Sequence, residues 1–277
     1  MPELPEVETV RAGLEKHVVG KTIITTKQLH PRALRPDSLG PLRTFKGAKV
    51  KRVNRRGKFM WLEFDRPEVL VAHLGMSGQF KVQQQGSTQE AHLRANFALS
   101  NGKELRFIDQ RTFGWLAVDT LTDGVPNLVS HIARDPFDPK FIKAEVVSTI
   151  QKKRGQIKKV ILDQEIISGI GNIYADEALW RAKIHPETIA SELTKTQISN
   201  VITAATNVML RALAAGGTSF DELYINVNGE SGYFERSLAV YGREGEQCRR
   251  GSRCGTKIIR IAFANRSSRL CPACQTR

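Results

Sequence analysis

All four cysteines of this chain, Cys248, Cys254, Cys271 and Cys274, fall within its last thirty residues. They form two pairs, C-x5-C and C-x2-C, with sixteen residues between them. Two thiol pairs flanking a hairpin-length segment suit a tetrahedral four-thiolate zinc site. There the metal supplies the folding energy that so short a segment cannot draw from a core. Four thiolates leave no open position, so one structural Zn2+ is expected rather than a catalytic one. Buried or disulfide-bonded cysteines are the alternative, and the first pair is looser than the usual two-to-four-residue knuckle. Residues 248–277 also hold eight Lys and Arg and no Asp or Glu, a surface that attracts phosphates.

Other residues with chemical potential are cationic or turn-forming. Lys58 follows Arg55, Arg56 and Gly57 in a turn between two strand-like stretches. The basic run Lys152, Lys153, Arg154, Lys158 and Lys159 precedes Gly169-Ile170-Gly171-Asn172. Two glycines in such a turn let backbone approach a phosphate, and the helix start that follows offers unpaired N–H groups. The whole chain of 277 residues carries a formal charge of +14, which points to a polyanionic partner, most commonly nucleic acid. With 40% hydrophobic and 25% charged residues the composition is that of an ordered soluble protein. Four cysteines are too few for a disulfide-built secreted scaffold. No run approaches 18 apolar residues, and the opening MPELPEVETV is acidic, so neither a membrane span nor a secretory signal is expected.

The elements that must position these residues change character along the chain. Val7, Val10, Leu14 and Val18 fall on one face of a first helix, with Pro5 in its first turn and Gly20 able to close it. From about residue 22 to 120, short β-rich runs alternate with turn residues, which predicts a β-sandwich or barrel. Near Asp123-Gly124-Val125-Pro126 the apolar spacing turns helical. It predicts helices over 141–153, 157–167, 172–184 and 194–217. The cysteine-bearing tail begins at about 238. The expected class is α+β, with domains at 1–130, 131–237 and 238–277.

Several motifs now stand in one chain and in one order. They are PELPEVET, Gly57-Lys58, HLGMSG at 73–78, DQRTFGW at 109–115, SGIGNIYADE at 168–177, GYF at 232–234, VYGREG at 240–245 and CPACQ at 271–275. Together they resemble bacterial formamidopyrimidine-DNA glycosylase over essentially the whole length. Leu4 favours that family over the similar endonuclease VIII, whose opening is usually of PEGPE type.

The resemblance implies an N-terminal helix on a β-sandwich, then a helical domain with a helix–two-turn–helix, then a zinc-finger β-hairpin. It implies a cytoplasmic, monomeric enzyme that removes 8-oxoguanine and formamidopyrimidines from damaged double-stranded DNA and then cuts the strand by β- and δ-elimination. Pro2, exposed by removal of Met1, would be the nucleophile. Glu3 would be the acid/base, Lys58 an active-site cation, and Arg266 at the hairpin tip the phosphate grip that assists the final elimination. Met76, Arg111 and Phe113 would fill the void left by the flipped base. Asn172, Lys153 and His92 would contact the DNA backbone, and residues 217–233 would form a loop over the extruded base. The first knuckle departs from the family by three residues, which bears on the orientation of Arg266. Oxidised-pyrimidine repair of the endonuclease VIII type, and a non-catalytic DNA-binding paralogue, are the rival readings.

Overall fold

The computed structural model describes residues 2–216 and 237–277, with Arg253 described by its backbone alone. These residues divide into two compact units, one of residues 2–131 with 215–216 and one of 132–214 with 237–277. Among the described residues no helix is long and apolar enough to cross a membrane.

In the first unit, α1 (Leu4–Val18) forms as its spacing predicts, with Leu4, Val7, Val10, Leu14 and Val18 buried along one stripe. Its start is fixed by a capping box in which Glu3 and Glu6 each take the other's backbone N–H, satisfying donors a helix end leaves unpaired. Gly20 adopts φ +79° just past the helix, and its N–H bonds Val50 O at 2.9 Å. Two antiparallel sheets follow. The first has order β1 (Ile23–Gln28), β6 (Leu93–Leu99), β7 (Lys103–Asp109), β5 (Gly78–Gln84). The second has order β2 (Val50–Arg56), β3 (Phe59–Phe64), β4 (Glu68–His73), β8 (Trp115–Thr122) and the two-residue β9 (Val125–Pro126). Alternation buries Leu93, Ala95, Phe97 and Leu99 of β6, and the last three join Met60, Leu62, Leu70 and Ala72 and Val7, Val10, Leu14 and Val18 of α1 in one core.

The second unit holds α2 (Lys143–Gln151), α3 (Ile157–Ile161), α4 (Asn172–Ala182), α5 (Lys195–Ala214) and a hairpin of β10 (Ile259–Phe263) and β11 (Arg266–Leu270). The helix predicted over 157–167 stops at Ile161. Gln164 explains the stop. Its side chain donates to Leu162 O and Ile170 O and accepts from Gly169 N at 2.7–3.0 Å, clamping an irregular turn in place of a third helical turn. Gly169 takes φ +89° there, a conformation L side chains rarely adopt. The turn buries Ile167 and Ile170 completely and delivers the chain to the start of α4.

Candidate active site and nucleic-acid interface

Pro2 is buried and leads directly into α1, and Glu3 caps that helix with 3% of its surface exposed. Lys58 lies in the two-residue β2–β3 turn, where Arg56 pairs with Phe59 and Gly57 takes φ +56°. A lysine in a hairpin turn is normally solvated, yet Lys58 is 6% exposed. The turn is braced to α1 by Arg55. Its Nε meets Glu8 Oε2 at 2.8 Å, and its Nη1 donates to Gly57 O at 3.0 Å. Arg11 adds a bond from Nη1 to Val53 O at 3.1 Å. Sequence reasoning named Lys58 but not the brace, although three closely spaced arginines on one strand were a sign of it.

His73 closes β4 in register with Phe59. Its ring packs on Phe59 and Trp115 with centroids 4.7 and 5.7 Å away, and Nδ1 accepts from Gly75 N at 3.2 Å. Burial first, then the charges of Lys58 and Arg35, lowers its pKa to about 4. His73 is therefore a neutral acceptor at working pH. The unfolded chain takes up the His73 proton as pH falls through its ordinary value of about 6.5, whereas the folded chain resists until about 4. The stability His73 contributes is thus whole above about pH 6.5 and lost progressively down to about pH 4. We expect denaturation midpoints of His73→Phe to fall less steeply than wild type across that window. Parallel slopes would contradict the neutral assignment.

Met76, Arg111 and Phe113 come together on adjoining loops. Met76 and Phe113 are among the large exposed apolar residues, at 37% and 59%, and Arg111 Nη1 lies 3.7 Å from Met76 Sδ. His92 sits in the turn before β6, half-buried, with Nδ1 3.5 Å from Arg94 Nη2.

In the second unit, Lys153 is exposed just past α2. Asn172 opens α4 after Gly171, and its Oδ1 is buried with no hydrogen-bond partner among the described residues. Arg266 is exposed beside a two-residue tip, paired with Phe263, while Ala264 takes φ +49°. The basic run is not the uniform cationic face its composition suggests, because Lys158 is fully buried. Its Nζ meets Asp176 Oδ1 at 2.7 Å and donates to Ser267 O and Ser268 Oγ, each at 2.9 Å. Asp176 also accepts from Ser268 Oγ at 2.8 Å and Arg269 N at 3.0 Å. Its neighbour Glu177, equally buried, takes the backbone N–H groups of Ala239, Val240 and Tyr241 on Oε1 at 2.8–3.2 Å. Residues 217–233 lie outside the described residues.

The four cysteine sulfurs lie within 4.8 Å of one another. Cys254 Sγ is 3.3 Å from Cys271 Sγ and 3.4 Å from Cys274 Sγ, far beyond the roughly 2.05 Å of a disulfide. Thiolates held about 2.3 Å from one zinc are spaced on this scale, so the residues fit a four-cysteine structural zinc. Burial, then hydrogen bonds to Cys254 and Cys271, pushes the Cys274 thiol up to about 12, a crowding that a dication reverses. The lengthened first knuckle leaves the cluster intact. It folds as a turn over Gly251–Arg253, and Arg250 reaches α4, donating to Trp180 O at 2.5 Å and stacking 4.4 Å from its ring. Trp180 Nε1 in turn donates to Cys248 Sγ at 3.4 Å.

Known families match in the same order. The formamidopyrimidine-DNA glycosylase N-terminal domain matches residues 1–116, its H2TH domain 132–222, and the zinc finger found in FPG and IleRS 245–277. The chain is 53% identical over 281 residues to the formamidopyrimidine-DNA glycosylase of Nocardioides sp., covering 99% of this chain and 94% of that one. It is 54% identical over 286 residues to that of Mycobacterium avium, covering 100% and 99%. Among solved structures, a Lactococcus lactis FPG mutant in complex with Fapy-dG-containing DNA is 32% identical over the full length of both chains, with a TM-score of 0.89. The Lactococcus lactis Fpg bound to DNA containing an abasic site has a TM-score of 0.88 at 32% identity, covering 99% of this chain and 100% of that one. A helix-capped sandwich, a helix–two-turn–helix and a four-cysteine finger in one chain define a bifunctional DNA glycosylase of base-excision repair. Within that class the chain belongs to the formamidopyrimidine-DNA glycosylase family.

Proposed function

We propose that this enzyme excises oxidised purines, 8-oxoguanine and formamidopyrimidines, from duplex DNA through a Schiff base at Pro2, then cuts the abasic site by β- and δ-elimination. The observation that carries the reading is the placement of Pro2 and Glu3 at the buried start of α1, the helix that also holds the Lys58 turn through Glu8 and Arg55. With Met1 removed, Pro2 presents a secondary α-amine, whose class titrates at about 8, well below lysine, so a useful fraction carries a lone pair at neutral pH. That lone pair attacks C1′, the damaged base leaves with the glycosidic electron pair, and loss of the amine proton leaves a neutral amino-sugar whose nitrogen lone pair forms the iminium as the C1′–O4′ bond breaks. Glu3 protonates the sugar-ring oxygen on opening and relays later protons. Removal of a C2′ proton expels the 3′ phosphate, and a second elimination expels the 5′ phosphate.

Lys58 supplies charge at the nucleotide's phosphate and Arg266 grips the phosphate during the last step. Met76 and Phe113 wedge into the stack while Arg111 hydrogen-bonds the orphaned base. Asn172, Lys153 and His92 hold the DNA backbone, the first from a helix N-terminus. The four cysteines would hold zinc as a fold element, with no part in bond breaking. The protein works as a monomer on damaged DNA in the cytoplasm. Its three functional segments are the sandwich to about residue 130, the helical segment to about 237, and the finger.

Borohydride trapping on an 8-oxoguanine duplex tests this reading. We expect a covalent protein–DNA adduct whose tryptic fragment carries the mass on Pro2. Binding of that duplex with no adduct would overturn it, and an adduct formed only on oxidised-pyrimidine duplexes would move the substrate class.

A further inference from the structure

Asp109 ends β7 with none of its surface exposed, and three other chain segments converge on it. Its Oδ1 accepts from Ser77 Oγ at 2.5 Å and its Oδ2 from Gly114 N at 2.7 Å. Its own N–H donates to His92 O at 2.9 Å, and its carbonyl accepts from Arg94 Nε at 2.7 Å. Ser77 Oγ passes the connection on by accepting from Arg111 N at 2.9 Å. Every one of these partners except Arg94 is, or directly adjoins, a residue proposed to touch DNA: Met76, His92, Arg111 or Phe113.

The loops are also pressed together at the backbone. A Cβ on Gly75 would lie 2.3 Å from the Phe113 carbonyl carbon, and one on Gly114 would lie 3.0 Å from Asp109 Oδ2. Thr112 holds φ +54°, a strained value for a β-branched residue, between Arg111 and Phe113. A buried carboxylate is costly unless donors satisfy it, and this one has a hydroxyl and a backbone N–H aimed at its two oxygens. Ser77 and Asp109 are therefore built for a geometric purpose that a β-sandwich core does not need.

We infer that Ser77 and Asp109 are positioning residues that lock the wedge residues Met76, Arg111 and Phe113 rigidly to one another and to the backbone-contacting His92, so that base displacement is a single concerted insertion. The inference rests on the wedge role proposed above. Its consequence is selective, because a wedge is needed to turn a base out of an intact duplex and far less at a site that has already lost its base.

Two reactions separate these demands: single-turnover release of 8-oxoguanine opposite each of the four bases, and cutting of a preformed abasic duplex. Ser77→Ala and Asp109→Asn are compared with Val118→Ala, a buried core change in β8 that controls for stability. Base release by Ser77→Ala and Asp109→Asn is expected to fall on the order of tenfold to a hundredfold, the scale of a displaced reacting group. Abasic cutting should stay within about threefold, and the spread of rates across opposite bases should narrow. If both reactions fall together as in Val118→Ala, or the spread is unchanged, the positioning role is wrong. Arg111→Ala run alongside distinguishes the two failures. If it narrows the spread while Ser77→Ala does not, only the positioning inference falls. If Arg111→Ala leaves the spread intact, the wedge reading itself fails and takes the inference with it.

Discussion

A chain that retains Met1 is expected to bind lesion-containing duplex and to cut almost nothing, a loss of strand cutting on the order of a thousandfold or more. With Met1 attached, the Pro2 nitrogen is a tertiary amide. Its lone pair is delocalised into the carbonyl, and no proton remains to be shed on the way to an iminium. Lys58 is given to the nucleotide's phosphate in this scheme and not to C1′, so it is not expected to take over as nucleophile. DNA affinity rests largely on phosphate contacts remote from that nitrogen and should survive. Pro2→Gly is the companion variant. It keeps an α-amine but loses the ring that fixes the nitrogen's approach, so some trapping should remain while turnover falls. The comparison requires mass spectrometry of each preparation to establish its N-terminus. Equal cutting by Met1-retaining and processed protein would refute the nucleophile assignment.

Lys158→Met is expected to be the most destabilising single substitution in the second unit, by about 3–5 kcal/mol. The pair it breaks is fully buried, with Lys158 at 0% and Asp176 at 1% exposed. Burial pushes the Asp176 carboxyl up and the Lys158 ammonium pulls it back down, so removing the lysine leaves a carboxylate with only two neutral donors. A double variant, Lys158→Met with Asp176→Leu, should recover much of the loss, because replacing a whole buried pair by apolar groups is often near neutral. Recovery of stability should not restore function. The pair fastens Ser267 and Ser268, directly beyond Arg266, to α4, so a hairpin lacking it loses its tether next to the tip. Urea unfolding of the zinc-loaded protein reads the stability, and hydrogen exchange at Arg269 N, which donates to Asp176, reads the local tether. Unchanged exchange there in Lys158→Met would contradict the role.

Trp180 and Arg250 show how the finger tolerates its unusual knuckle. The helix α4 spans 11 residues, roughly 16 Å. Asp176 holds β11 near the hairpin tip, while Trp180 holds Cys248 near the metal. Within the C-x5-C knuckle, Arg250 reaches the carbonyl end of α4, where a cation is favourable. The long knuckle is thereby attached to α4 at a second point.

What the sequence determined by itself was whatever depends on short-range periodicity or ligand spacing. The α1 stripe follows from 3.6-residue spacing, the eight main strands of the sandwich from alternation and turn residues, and the zinc cluster from two cysteine pairs. The motifs that carry the family resemblance are likewise local strings, and they put Pro2 at a helix start, Lys58 in a strand–strand turn and Arg266 next to a hairpin tip, where the structure has them. The tertiary structure decided everything that requires a distant partner. Lys158 reads as one cation in a basic run, and only Ser268, 110 residues away, and Asp176 make it a buried clamp. The predicted helix from 157 ends at Ile161 because the Gln164 side chain competes for the backbone of the following turn. Asp109 is one acidic residue among many until Ser77, 32 residues earlier, and Gly114 close on it. Periodicity reports which face of an element is apolar. A buried polar group is stable only where the fold brings donors to it, and that information is spread over the whole chain.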